Sequence, residues 1–257
     1  MRNRSFSRRR PVAIVLPALC VLLLATACMG TSRPGTLQEF QFVRNFPVRA
    51  YKEQDSVRIL NFRDTTSIVY MDAYALYRLP AVTQFETNQS IRGTEAYLLM
   101  RRGAGTGRFF SSGADASPGV VVNVDSFLRK KGLQGEDFDV PADSAWQLVA
   151  TTAGDRPDEV LEKYAYTRPP TETVFDSIYY YYSKRPPAVD FSFSKKLDRA
   201  KRMKLSRVRF LYNERYSTQE QFMVPKREFL FDLREVEPGN PEDTRRLLRR
   251  LCGQAGI

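Results

Sequence analysis

The chain has 257 residues, is 42% hydrophobic, and carries 40 Lys+Arg against 29 Asp+Glu for a formal charge of +11. It has no histidine, which excludes Ser-His-Asp and Cys-His nucleophilic sites, HExxH metal sites and histidine-ligated haem. Arg2, Arg4, Arg8, Arg9 and Arg10 crowd the N-terminus, and without residues 1–27 the balance is 35 basic to 29 acidic, a net of +6. From Pro11 to Ala27 no charge occurs. A basic start, an apolar stretch and small residues at its end are the three parts of a secretory signal. The apolar stretch spans 17 residues and contains Pro17. That is short of the roughly 20 apolar residues of a permanent span, so cleavage is expected over anchoring by a helix.

The run Leu24-Ala25-Thr26-Ala27-Cys28 resembles the lipobox of bacterial lipoproteins, a resemblance confined to the signal and its junction. It implies a diacylglyceryl thioether on Cys28 and cleavage just before it, with small residues beside the cut. Ala25 stands where the family usually has Leu. An ordinary A-x-A site, Ala25-Thr26-Ala27, would cut the same bond without adding lipid. Cys20 leaves with the signal, so only Cys28 and Cys252 remain. Lipidation of Cys28 leaves Cys252 an unpaired thiol on a helix; an unmodified Cys28 allows a Cys28–Cys252 bridge. Ser7-Arg8-Arg9-Arg10 is a weak match to a twin-arginine signal, and Asn88-Gln89-Ser90 is a glycosylation tripeptide common by chance. Residues 29–36 have linker composition and would reach about 25–30 Å when extended. No acid closely follows Cys28, which leans towards the outer membrane.

Short apolar runs broken by polar turns predict strands at Phe40–Arg44, Val57–Phe62, Thr66–Met71 and Tyr74–Leu79. Strands at Glu95–Arg102 and Arg108–Ser112 flank the glycines of 103–107. That segment lacks GxGxxG spacing and a following Lys-Ser/Thr, so it reads as a hairpin turn without a nucleotide. Val120–Val124 reads as a buried strand, followed by a short helix over 125–132 with an acidic cap at Asp125. Trp146–Thr151 is a further strand. Asp155-Arg156-Pro157 predicts a helix running to Tyr166, with Asp158 and Glu159 in its first turn. Two Arg-Pro-Pro tripeptides bracket a strand over 174–183, in which Tyr180 and Tyr182 share one face and Tyr179 and Tyr181 the other. Two aromatic faces suggest an internal strand or a ligand-facing one.

All the excess charge sits in the last quarter: residues 191–257 hold 16 Lys+Arg and 9 Asp+Glu, a net +7, while residues 28–190 net −1. Lys195, Lys196, Arg199, Lys201 and Arg202 are the candidate surface for anionic lipid or an acidic envelope protein; a solvated helix is the plainer reading. Two alternating strands follow, with Val208, Phe210 and Tyr212 on one face and Phe229, Phe231 and Leu233 on another. A C-terminal helix runs from its cap Asn240 to a stop at Gly253, with Leu247, Leu248 and Leu251 as its apolar stripe.

Glu136, Asp137, Asp139 and Asp143 lack the spacing of a calcium loop, so a solvated loop is expected and no metal or cofactor is assigned. No nucleic-acid motif occurs. A pair of carboxylates from distant strands remains compatible with glycoside-type hydrolysis, but the sequence singles out none. The expected organisation is a signal peptide over 1–27, a lipidated N-terminus and tether over 28–36, and one domain over 37–257. Its fold class is α+β: a mainly antiparallel sheet or half-barrel with two or three helices, one C-terminal. The functional expectation is a lipid-anchored cell-envelope protein on the periplasmic face, without catalysis of its own; a carboxylate-based hydrolase, tethered or secreted, is the alternative.

Overall fold

Alternation of large apolar and polar residues sets the first strand. In β1 (Gln38–Lys52), Phe40 and Phe42 are fully buried on one face, as period-two alternation requires. A computed structural model describes residues 36–52, 56–80, 82–85, 90–113, 117–133, 138–139, 144–169, 174–184, 189–218 and 221–256. The chain divides between Thr36 and Leu37, and the elements below all belong to the second part.

β2 (Ser56–Met71) unites two strands expected separately. The polar break Arg63-Asp64-Thr65 stays in the ladder because Asp64 lies opposite Arg44 of β1. The two side chains form a paired ion bridge, Nε to Oδ1 at 2.7 Å. β3 (Tyr74–Leu79) and the short pair β4 (Val82–Phe85) and β5 (Ser90–Arg92) follow. Next come β6 (Ala96–Arg101) and β7 (Thr106–Phe110), joined through Gly103 at φ +72° in a tight turn, as anticipated.

β8 (Val120–Asn123) is a strand but not a buried one. Val120 and Val121 are 65% and 60% exposed, because among the described residues β8 pairs only with β7, at an end of the sheet. An unbroken aliphatic run does not distinguish a central strand from an edge. Helix α1 (Val124–Lys130) is capped by Asn123, whose side chain accepts from the Ser126 N–H at 2.9 Å. Asp125 sits in the first turn and is not the cap.

β9 (Trp146–Ala153) is followed by β10 (Glu159–Tyr166), which replaces the expected helix over 155–166. Pro157 suits a turn as well as a helix start, and Asp158 adopts φ +60°, which breaks a helix and reverses the chain. Glu159–Tyr166 then pairs on both sides, with β9 and with β11 (Ser177–Ser183). Two ladders of hydrogen bonds override the local helix preference of Glu-Val-Leu-Glu-Lys. β11 lies inside the sheet, between β10 and β12 (Lys204–Tyr212).

Helix α2 (Lys195–Lys201) precedes β12, the hairpin β13 (Arg215–Ser217) and β14 (Phe222–Val224) follows it, and β15 (Arg227–Val236) completes the sheet. Helix α3 (Pro241–Ala255) is capped by Asn240 and has Pro241 in its first turn. It passes through Gly253, whose Cβ position is open, and stops at Gly256, φ +70°, two to three residues beyond the expected end.

The main sheet runs β8-β7-β6-β3-β2-β1-β15-β12-β11-β10-β9, with β4 and β5 beside β2. Every pairing is antiparallel, and the sheet is open. Its inner face carries Phe40, Ile68, Tyr77, Leu98, Tyr180 and Val208. That face is covered by Val124 and Leu128 of α1, Leu197 of α2, and Phe138, Phe191 and Phe193 from connecting segments. The outer face carries Val69, Leu76 and Leu99, on which α3 lays Leu248, Leu251 and Ala255. Each fully buried leucine contributes roughly 1.5–3 kcal/mol, so the stripe docks on the sheet. The fold is the α+β, largely antiparallel arrangement expected.

Candidate functional site

Cys28 lies outside the described residues, as do Glu136, Asp137 and Asp143 of the acidic segment and Asn88 and Gln89. The five basic residues of the candidate surface are all resolved at α2, where they divide. Lys201 turns inward: its Nζ donates to Oε1 of Glu162 at 2.6 Å. Lys195 reaches Asp125 of α1 across 3.7 Å. Lys196, Arg199 and Arg202 are exposed. Arg202 ends the helix at φ 52°. Ser194 caps α2 by accepting from the Leu197 N–H and itself donates to Asp139. Asp198 holds the far side through Ser192, the Leu205 N–H and Lys204.

Beneath α2 lies a polar cluster within the inner core that the sequence did not reveal. Glu162 is buried on the core face of β10 and accepts from the Tyr164 hydroxyl at 2.8 Å as well as from Lys201. Tyr180 donates to the Phe138 carbonyl at 2.6 Å. Tyr182 is fully buried and its hydroxyl meets no partner among the described residues. Burial pushes the Tyr164, Tyr180 and Tyr182 hydroxyls well above the ordinary phenol range, and nearby carboxylates, Glu162 among them, add to it. These phenols therefore stay neutral at any physiological pH and act as hydrogen-bonding groups, not bases. Glu162 was hidden because its segment reads as helix, where period-two burial goes unnoticed.

On the outer face of β10, β12 and β15 the charges bind one another. Arg207 lies over the Tyr181 ring at 3.7 Å and donates to both Asp155 and Glu159. Arg156 bridges to Asp232 at 2.7 Å. Arg209 takes Glu228 with two hydrogen bonds of 2.8 Å and donates to the Tyr181 hydroxyl at 3.1 Å. Tyr181 is thus covered by a cation, and the two aromatic faces of β11 both pack. The Arg207 hydrogen bond holds the Asp155 carboxyl down at about 2.

A cleft of about 150 Å³ opens where the Gly103–Gly105 turn, α1 and the segment before α2 converge. Its polar lining comprises Asp125, Asp190 and Lys195, with Tyr77 at its base. Asp125 is engaged by Lys195 and Asp190 by Arg102 at 3.0 Å. The Asp190 N–H donates to the Tyr70 hydroxyl at 3.2 Å, and burial raises that phenol to about 12. Among the described residues no group of three or more His, Cys, Asp and Glu is placed to hold a metal ion. No helix among them is long and apolar enough to cross a membrane.

No family model matches this sequence. No curated protein matches it either. Among solved structures, one match is a domain provisionally described as an outer membrane lipoprotein-sorting protein from Vibrio parahaemolyticus, at 9% identity and a TM-score of 0.17 over 83% of this chain and 91% of that one. A superposition that weak establishes neither a shared fold nor a shared role.

Cys252, on α3, is half-buried and has no disulfide partner among the described residues, and burial raises the pKa of its thiol.

Proposed function

We propose that this chain is exported, anchored through lipid on Cys28 to the periplasmic face of an envelope membrane, and serves there as a binding or structural component without catalysis of its own. The observation that carries the reading is the uninterrupted order of residues 1–28: five arginines, an uncharged apolar stretch, small residues, then cysteine. Two or more acyl chains on Cys28 hold a protein stably where one chain is marginal.

The close acids Asp155 and Glu159 do not suit a carboxylate-based hydrolase. A carboxylate-based hydrolase needs two close acids, one with a raised pKa so that it can donate a proton at neutral pH. Asp155 and Glu159 share Arg207 as partner, and the guanidinium drives Asp155 the other way, down to about 2. Through Arg207 the two acids tie the turn at Asp155 and β10 to β12.

Intact mass of the mature protein from its native host, beside a Cys28→Ala variant and with membrane and soluble fractions separated, tests the anchor. The expected wild type begins at Cys28, is heavier by its acyl chains and survives a salt wash in the membrane pellet; the variant becomes soluble or accumulates as precursor. An unmodified Cys28 in the soluble fraction would end the anchor reading.

A further inference from the structure

The exposed cations of α2 do not stand alone. Asp125 near the start of α1 and Lys195 at the start of α2 approach to 3.7 Å, so the N-termini of the two helices adjoin. Both helices press their apolar residues, Val124 and Leu128 on one and Leu197 on the other, into the same inner core. Their opposite sides therefore face away from the same face of the sheet. On α1 and the turn after it, Arg129, Lys130 and Lys131 are exposed. On α2 and its cap, Lys195, Lys196, Arg199 and Arg202 are exposed. A seven-residue helix is about 10 Å long, so these charges fall within a few Debye lengths of one another at about 0.1 M salt. Among the described residues of the two segments, Asp125 is the one exposed acid, and it is taken by Lys195. Glu136 and Asp137, next along the chain, lie outside the described residues.

The arginines of α3 form a second basic group, but on the opposite face and interspersed with acids. Arg245 pairs with Glu242 at 2.6 Å and Arg246 with Asp243 at 3.4 Å. The two groups thus differ in balance: α3 sets four arginines against two acids, each acid laced to an arginine three residues on, whereas the exposed charged residues of the α1 and α2 segments are seven cations against Asp125.

We infer that the α1–α2 face is a docking surface for an anionic lipid bilayer. The partner follows from the short connection between Cys28 and β1. Residues 29–36 span at most about 25–30 Å, which keeps a domain anchored at Cys28 beside the headgroups, where juxtamembrane cations bind anionic lipid. In this respect the inference rests on the lipid-anchor reading. The surface holds the domain down against the bilayer, with the α3 side turned away.

The test uses the mature chain with Cys28→Ala, which has no anchor, and vesicles of phosphatidylcholine alone or with about one-third phosphatidylglycerol. Co-sedimentation with the anionic vesicles, weak with the neutral ones and reversed by salt, is expected. Each cation near such a surface is worth about fivefold in affinity, so Lys196→Gln, Arg199→Gln and Arg202→Gln together should weaken binding about a hundredfold. Arg246→Gln, Arg249→Gln and Arg250→Gln on α3 change the net charge equally and should leave binding within a few-fold of the parent. Equal binding to both vesicle types, no binding to either, or equal loss in the two triple variants would overturn the inference. Because no lipid is attached in this assay, its failure is read separately from an unmodified Cys28 in the mass measurement.

Discussion

Replacing Lys201 with Met would strand the Glu162 carboxylate in the inner core with Tyr164 as its remaining hydrogen-bond partner among the described residues. Removing one member of a buried pair costs about 3–5 kcal/mol when the other charge has no escape. In this pair an escape exists, because the carboxyl can take up a proton. For an ordinary glutamate that costs at most about 3.7 kcal/mol at pH 7 and about 1 kcal/mol at pH 5. Lys201 is 30% exposed while Glu162 is only 7% exposed, so water enters part of the vacated space and lowers the penalty. The expected loss for Lys201→Met is about 2–3 kcal/mol at pH 7, shrinking below about 1 kcal/mol at pH 5. The sign follows from proton counting. In the variant the folded state binds more protons than the unfolded state, so lowering the pH favours folding. Urea denaturation of wild type and variant at both pH values measures the difference, and other titrating groups cancel in it. Adding Glu162→Gln to Lys201→Met should recover most of the loss at pH 7. A loss that is the same at pH 7 and pH 5, or a double variant no better than the single one, would refute the idea that Lys201 neutralises a buried charge.

Leu251→Ala on α3 should cost about 3–4 kcal/mol, since the side chain is fully buried against the outer face and leaves a cavity; a cost below about 1 kcal/mol in denaturant titration would mean that α3 is not docked. Asp155, held down at about 2 by the Arg207 hydrogen bond, contributes stability that is present above the ordinary carboxylate range and lost as the pH falls from about 4 towards 2. The contribution is modest because its side chain is 68% exposed. Asp155→Asn should flatten that part of the acid-unfolding curve, and an NMR titration placing the carboxyl near 4 would contradict the pairing. Cys252 should alkylate more slowly in the native chain than in guanidinium, because burial raises its pKa; equal rates would place the thiol at the surface.

The strands with strict alternation were legible because one face had to be apolar: Phe40 and Phe42, Val208 and Phe210, Phe229 and Phe231. The failures have a common physical source, in that partners distant in sequence decide the outcome. Glu159–Tyr166 carries helix-forming residues, and its strand state comes from two flanking ladders. Val120–Asn123 is an edge because nothing among the described residues pairs beyond it in the sheet, which composition cannot record. At the candidate surface, Lys196, Arg199 and Arg202 were legible as exposed cations. The inward turn of Lys201 was not, since it depends on Glu162 from a segment read as helix. Nor could spacing place the start of α1 beside the start of α2, which is a fact of the shared sheet face.

The pairing of β1 with β15 governs the order in which this protein can assemble. Gln41 is hydrogen-bonded to Arg234, 193 positions later in the chain, whereas β1 and β2 form a local hairpin. A chain that emerges N-terminus first from the ribosome can close the meander from β1 through β8 early, but the Glu39–Asn45 stretch of β1 stays bare on one side until β15 arrives. During that interval the N-terminal half presents an open edge backed by Phe40 and Phe42, the kind of template that recruits other chains. Long-range pairing of this sort is also slow to form. Chains clipped or stalled before residue 227 therefore keep that edge permanently, and they should accumulate as aggregates while the complete protein remains dispersed.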